Sequence, residues 1–150
     1  MKIRLKPEIL CGWLIAVPLF VCAESLPKQA AIASADPLAT KAGMEILDQG
    51  GNAFDAAVAV SAALAVVEPA SSGLGGGAFW LVHVAAEDRN IFVDAREVAP
   101  GAATVNMYLN EQGEPRLHGS VDGPLAAGIP GEPAGLVFLA DRYGRLPLAQ

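Results

Sequence analysis

Glu68-Pro69-Ala70-Ser71-Ser72-Gly73-Leu74-Gly75-Gly76-Gly77 leads into the apolar run Phe79-Trp80-Leu81-Val82 and on to Asp94-Ala95-Arg96-Glu97, closing at Pro100. Glycines at 73, 75, 76 and 77 require the backbone to turn sharply, approach another segment closely, or enter positive φ. Phe79 to Val84 is rich in β-formers, and Ala85 to Asn90 holds a polar turn. From Ile91 to Arg96 the residues alternate, with Ile91, Val93 and Ala95 on one face and Phe92, Asp94 and Arg96 on the other. The stretch reads as a glycine turn and then a hairpin with a central, two-sided first strand and Arg96 at its far end.

Upstream lie two helices. Asp36 is a good N-cap, Pro37 suits the first helical position and Gly50-Gly51 supplies the stop. Leu38, Ala39, Ala42, Gly43, Ile46 and Leu47 share the face that should lie on a core. Asn52 caps the second helix, with Asp55 completing a short-armed capping box. From Ala56 to Val67 Ser61 is the single polar residue, so this helix has no wet face and should be buried on nearly all sides. Before the first helix, Ala30 to Ser34 is expected to form a short strand.

Downstream of Pro100 the pattern loosens. Glu111 to Pro115 and Ser120 to Pro124 read as turns, Leu125 to Ile129 as a strand, and Ala134 to Tyr143 as a helix ending at Gly144. Leu146 to Gln150 looks like the opening of another helix. The layout of helix, buried helix, hairpin, loop and helix is α+β in class. These elements supply too little cover for the second helix, which calls for an assembling partner or further chain.

The 150 residues suffice for one ordinary domain. Residues 1–23 stand apart: Lys2, Arg4 and Lys6 form a basic start, Ile9 to Val21 an apolar stretch, and Val21-Cys22-Ala23 a small-residue cleavage site. This is the pattern of a secretory signal peptide, leaving 24–150 as one exported unit and the membrane relevant only if the segment is uncleaved. Both cysteines, Cys11 and Cys22, fall inside it, so the mature chain is expected to have no disulfide. Its loss removes three bases and one acid and makes the net charge of −6 more negative still. Such acidity disfavours nucleic acid as a partner.

Gly73 to Ala78 has the spacing of a dinucleotide fingerprint, but a helix precedes it and a strand follows, the reverse of what phosphate binding needs. A glycine turn between closely packed backbones is the better reading. Arg96 is the strongest chemical group, since a guanidinium grips a carboxylate through two parallel hydrogen bonds. From residue types alone, substrate recognition and an ion pair with Asp94 or Glu97 both stay open. His83 and His118 lack partners at metal-ligand spacing. Ser71 and Ser72 lack a nucleophile motif and a base, and Asp55 and Glu68 are more simply a helix cap and a helix end.

Taken in order, Asp36-Pro37-Leu38-Ala39, Ala42 to Leu47, Gly50 to Ala59, Val67 to Gly77, Asp94 to Pro100, Ile129 to Leu136 and Arg142 to Pro147 resemble the γ-glutamyltransferase family, also called γ-glutamyltranspeptidase or glutathione hydrolase. The likeness covers nearly all of residues 30 to 150 and corresponds to the start of the family's large subunit. It implies the N-terminal portion of an αββα N-terminal-nucleophile hydrolase, made as a zymogen that cuts itself into two subunits. It further implies a threonine nucleophile, a glutathione-like γ-glutamyl donor, water or an amino-acid or peptide acceptor, and no cofactor. Thr40 and Thr104 do not stand in the nucleophile motif, so these residues alone are expected to be inactive without the small subunit. Arg96 matches the family's arginine for the donor α-carboxylate. Asp36 replaces a common His and Phe54 a smaller aliphatic. Related acylases for glutaryl, β-lactam or poly-γ-glutamate substrates, or an exported non-catalytic interaction module, are the alternatives.

Overall fold

The computed structural model describes residues 30–149. The leading segment and both cysteines lie outside the described residues. Helix α1 spans Pro37–Asp48 and α2 spans Ala53–Val67. Strands β1 (Ala78–Val84) and β2 (Arg89–Ala95) form an antiparallel hairpin, and α3 runs from Glu132 to Tyr143.

Local chemistry starts both upstream helices where the sequence predicts. Asp36 Oδ1 accepts from the Leu38 N–H at 2.7 Å. Asn52 Oδ1 accepts from Phe54 and Asp55 while Asp55 Oδ2 accepts from the Asn52 N–H, a complete capping box. Helix α1 packs on α2 through Ala39 and Gly43, both buried. A β-carbon at Gly43 would lie 2.6 Å from Val60 Cγ2, so the glycine sets how closely the helices cross. Leu38, expected on the core face, points outward from the first turn.

Helix α2 is less covered than its composition predicts. Only Asp55 and Ala56 are buried, and Val66 is 78% exposed. Helices α1 and α3 cover part of its circumference, and the rest of the apolar surface stays open among the described residues. The hairpin is similarly one-sided. Trp80 and Val82 pair with Val93 and Ile91 on the inner face, whereas Phe79, Leu81 and Phe92 lie on an open face. Phe79 and Phe92 stack there at 5.5 Å. The expectation of a central first strand is not met among the described residues, where β1 has β2 as its one neighbour.

Four other expectations change. Ala30 to Ser34 forms no strand. Leu125 to Ile129 is instead a 3-10 turn (Pro124–Ala126) followed by one bridge, Ile129 to Val98, because Pro124 favours a turn and Pro130 lacks the N–H to extend pairing. Helix α3 begins two residues early, at Glu132, since Pro133 falls in a first turn that needs no N–H from it. Residues 145–149 turn without forming a helix. They are tied down by Asp55, which accepts from the Arg145 N–H at 3.0 Å and the Leu146 N–H at 3.4 Å.

Candidate functional site

Four segments converge where β2 ends: the glycine turn, β2 itself, the loop before α3 and the first turn of α3. Gly76 C=O accepts from the Gly131 and Glu132 N–H groups at 3.0 and 3.1 Å. A β-carbon at Gly77 would lie 2.7 Å from Ala95 O and Glu97 N and 2.8 Å from Arg96 Cα; one at Gly131 would lie 2.5 Å from Arg96 O. No side chain fits between these backbones. None of glycines 73, 75, 76 and 77 is among the positive-φ glycines of the described residues, which are Gly50, Gly113 and Gly123. Close approach is therefore what the run provides at Gly77.

The clamp fixes the backbone from which Arg96 projects. Its N–H donates to Asp94 Oδ1 at 3.0 Å, and its Nε donates to Glu97 Oε2 at 3.0 Å. The guanidinium carbon stands 5.7 Å from the Phe79 ring centroid. The side chain is 65% exposed, and among the described residues neither Nη has a protein acceptor. Glu97 thus occupies the Nε position and leaves the Nη1–Nη2 edge, which suits a second carboxylate end-on. The Glu97 carboxyl is held below its ordinary value first by its own backbone N–H, then by Arg96, with the Gly77 N–H adding to both. It remains an anion to orient the guanidinium.

A cavity of about 560 Å³ lies beside this junction, lined by Ser61, Ser71, Ser72, Gly77, Glu97 and Glu132 among others. Glu68 caps the C-terminus of α2, the helix end its position predicts, and Ser72 Oγ donates to its Oε2 at 3.4 Å. His83 is remote on the open sheet face, where Nδ1 meets Asn90 Oδ1 at 2.9 Å. His118 sits in the long loop at φ 57°.

Sequence reasoning left Glu132 unnoticed. The residue is 5% exposed, with Oε1 accepting from Ser61 Oγ on α2. The signals available were Ser61 as the lone hydroxyl of an apolar helix and an acid between two prolines.

The γ-glutamyltranspeptidase family model matches residues 39–150. A glutathione hydrolase proenzyme of Escherichia coli (strain K12) is 46% identical over 121 residues, covering 81% of this chain and 21% of that relative. One from Pseudomonas sp. (strain A14) is 47% identical over 113 residues, 75% of this chain and 20% of the relative. The crystal structure of Helicobacter pylori γ-glutamyltranspeptidase superposes with a TM-score of 0.74 at 45% identity, over 82% of this chain and 36% of that one. This chain spans about a fifth of the length of these curated relatives. With ordered motifs, local geometry and backbone superposition all in agreement, the chain belongs to the γ-glutamyltranspeptidase family.

Proposed function

We propose that these residues supply the donor-carboxylate grip of an exported glutathione hydrolase, with Arg96 as the gripping side chain. One observation carries the reading: Glu97 takes the Nε side of a clamped guanidinium and leaves its end-on edge for another carboxylate. A γ-glutamyl donor carries such a group on its α-carbon. Its γ-carbonyl would then lie toward a threonine nucleophile contributed by a part of the protein beyond these residues, with the threonine's own α-amine as base. Water or an amine acceptor would take the acyl group. The Escherichia coli and Pseudomonas sp. relatives are proenzymes, which supports a processed precursor. The open apolar face of Phe79, Leu81 and Phe92 supports a second sheet packed on the first, as in an αββα sandwich.

In the full-length protein, Arg96→Ala is expected to raise KM for a γ-glutamyl donor by the equivalent of about 2–4 kcal/mol. An unchanged KM removes Arg96 from the site. Turnover of a glutaryl amide in preference to glutathione by the same preparation would move the assignment to an acylase.

A further inference from the structure

Two buried acids occur among the described residues, and they are held very differently. Asp55 accepts from the backbone N–H groups of Asn52, Arg145 and Leu146. Glu132 has the Ser61 hydroxyl on Oε1, while Oε2 is buried with no donor. Trp80 presents the converse: its indole Nε1–H is buried with no acceptor. The two unmatched groups belong to one junction. Trp80 Nε1 lies 3.2 Å from where a β-carbon on Gly135 would stand. Gly135 is three residues beyond Glu132, on the same face of α3. That same β-carbon position is 2.6 Å from Ala95 Cβ, immediately before Arg96. A buried donor and a buried acceptor left over around the first turn of α3 are the setting in which an internal water is retained.

We propose that Glu132 is a positioning residue for Arg96, acting through an internal water shared by Glu132 Oε2 and the Trp80 indole N–H. The carboxylate ties α2 to α3 through Ser61, and its own backbone N–H holds Gly76 C=O. Gly77 and Gly131 then fix the Ala95-Arg96-Glu97 backbone. The water closes the remaining side of this frame by locking β1 to the first turn of α3. A carboxylate at this position costs stability unless both oxygens are occupied. Its value lies in holding three elements at one register beneath the arginine.

The kinetic half of the test rests on the donor-binding reading of Arg96, and the crystallographic half does not. In the full-length processed enzyme, Glu132→Ala is expected to raise donor KM about tenfold with kcat within about twofold, the pattern of a misplaced binding group. Glu132→Gln keeps an acceptor for Ser61 and a donor for the water, and should restore KM. Ser61→Ala should shift KM in the same direction as Glu132→Ala. A high-resolution crystal structure should show a water within hydrogen-bond distance of both orphan atoms, and the Glu132→Ala crystal should show the Arg96 guanidinium displaced. A dry junction with Arg96 unmoved overturns the proposal, as does a fall in kcat and thermal stability with KM unchanged in all three variants. If Arg96→Ala itself leaves KM unchanged, the donor-binding reading fails, and the two crystal structures still decide the role of Glu132.

Discussion

Gly77 lies directly against Arg96: a β-carbon on the glycine would sit 2.8 Å from the arginine Cα and 2.7 Å from the carbonyl oxygen of Ala95. The obstructing atoms are backbone, which cannot swing aside as a long side chain would. Gly77→Ala is therefore expected to force the turn and β2 apart, at a cost of about 1–3 kcal/mol. Urea denaturation of the full-length variant measures the loss, and donor KM should rise with it because Arg96 moves with its backbone. Wild-type stability and KM in Gly77→Ala would mean that the clamp does not exist.

Glu97 orients the guanidinium rather than merely neutralising it. Glu97→Ala frees Arg96 Nε and lets the side chain rotate, so donor KM is expected to rise by about three- to tenfold. Glu97→Gln keeps an oxygen acceptor for Nε and should fall between wild type and alanine. A Gln variant as impaired as Ala would instead assign the whole effect to charge.

The lowered Glu97 carboxyl gives a signed pH dependence. A group whose folded value is depressed contributes from above its unfolded value, about 4.5 here, and loses that contribution as pH falls through the folded value. Donor KM should accordingly stay flat from neutral pH down past the ordinary carboxylate range and rise only below it. Because the donor's own α-carboxylate also titrates in acid, the informative quantity is the wild-type profile divided by that of Glu97→Gln. A ratio already changing above pH 4.5 would contradict the depressed value.

What was legible in the sequence was local. Asp36-Pro37 and the Asn52–Asp55 box specify their helix starts with groups two or three residues apart, so no tertiary information is needed. Alternation set the hairpin faces for the same reason. Turns near 111–115 and 120–124 were legible from their residues, but the rest of the 101–128 segment was not, because single contacts organise it, such as the Tyr108 hydroxyl to Leu125 C=O at 3.0 Å, with no period to betray them. In the site, Arg96 was visible through its motif and its own chemistry. Its ion pair was left open between Asp94 and Glu97, since adjacent residues in a strand point to opposite faces; Glu97 is the partner because the chain has already left β2. Glu132 and Ser61, 71 residues apart, were brought together by packing alone.

Asp55 is the opposite kind of carboxylate from Glu97: buried, and held mainly by backbone. It accepts from Asn52 N–H at 2.8 Å, Arg145 N–H at 3.0 Å and Leu146 N–H at 3.4 Å, while Asn52 Nδ2 donates to Tyr143 C=O at 2.7 Å. Together they pin the end of α3 to the start of α2. Asn at position 55 is nearly the same size but turns an NH₂ toward one of these donors, placing hydrogen against hydrogen, and it loses the charge assistance at the other. Asp55→Asn is therefore expected to destabilise by about 2–4 kcal/mol, more than the loss of a neutral cap. The shift in thermal midpoint checks this, and hydrogen exchange should locate the loosening at Tyr143 to Leu146 and the first turn of α2. Protection retained there, with an unchanged midpoint, would show that the carboxylate does not join these helices.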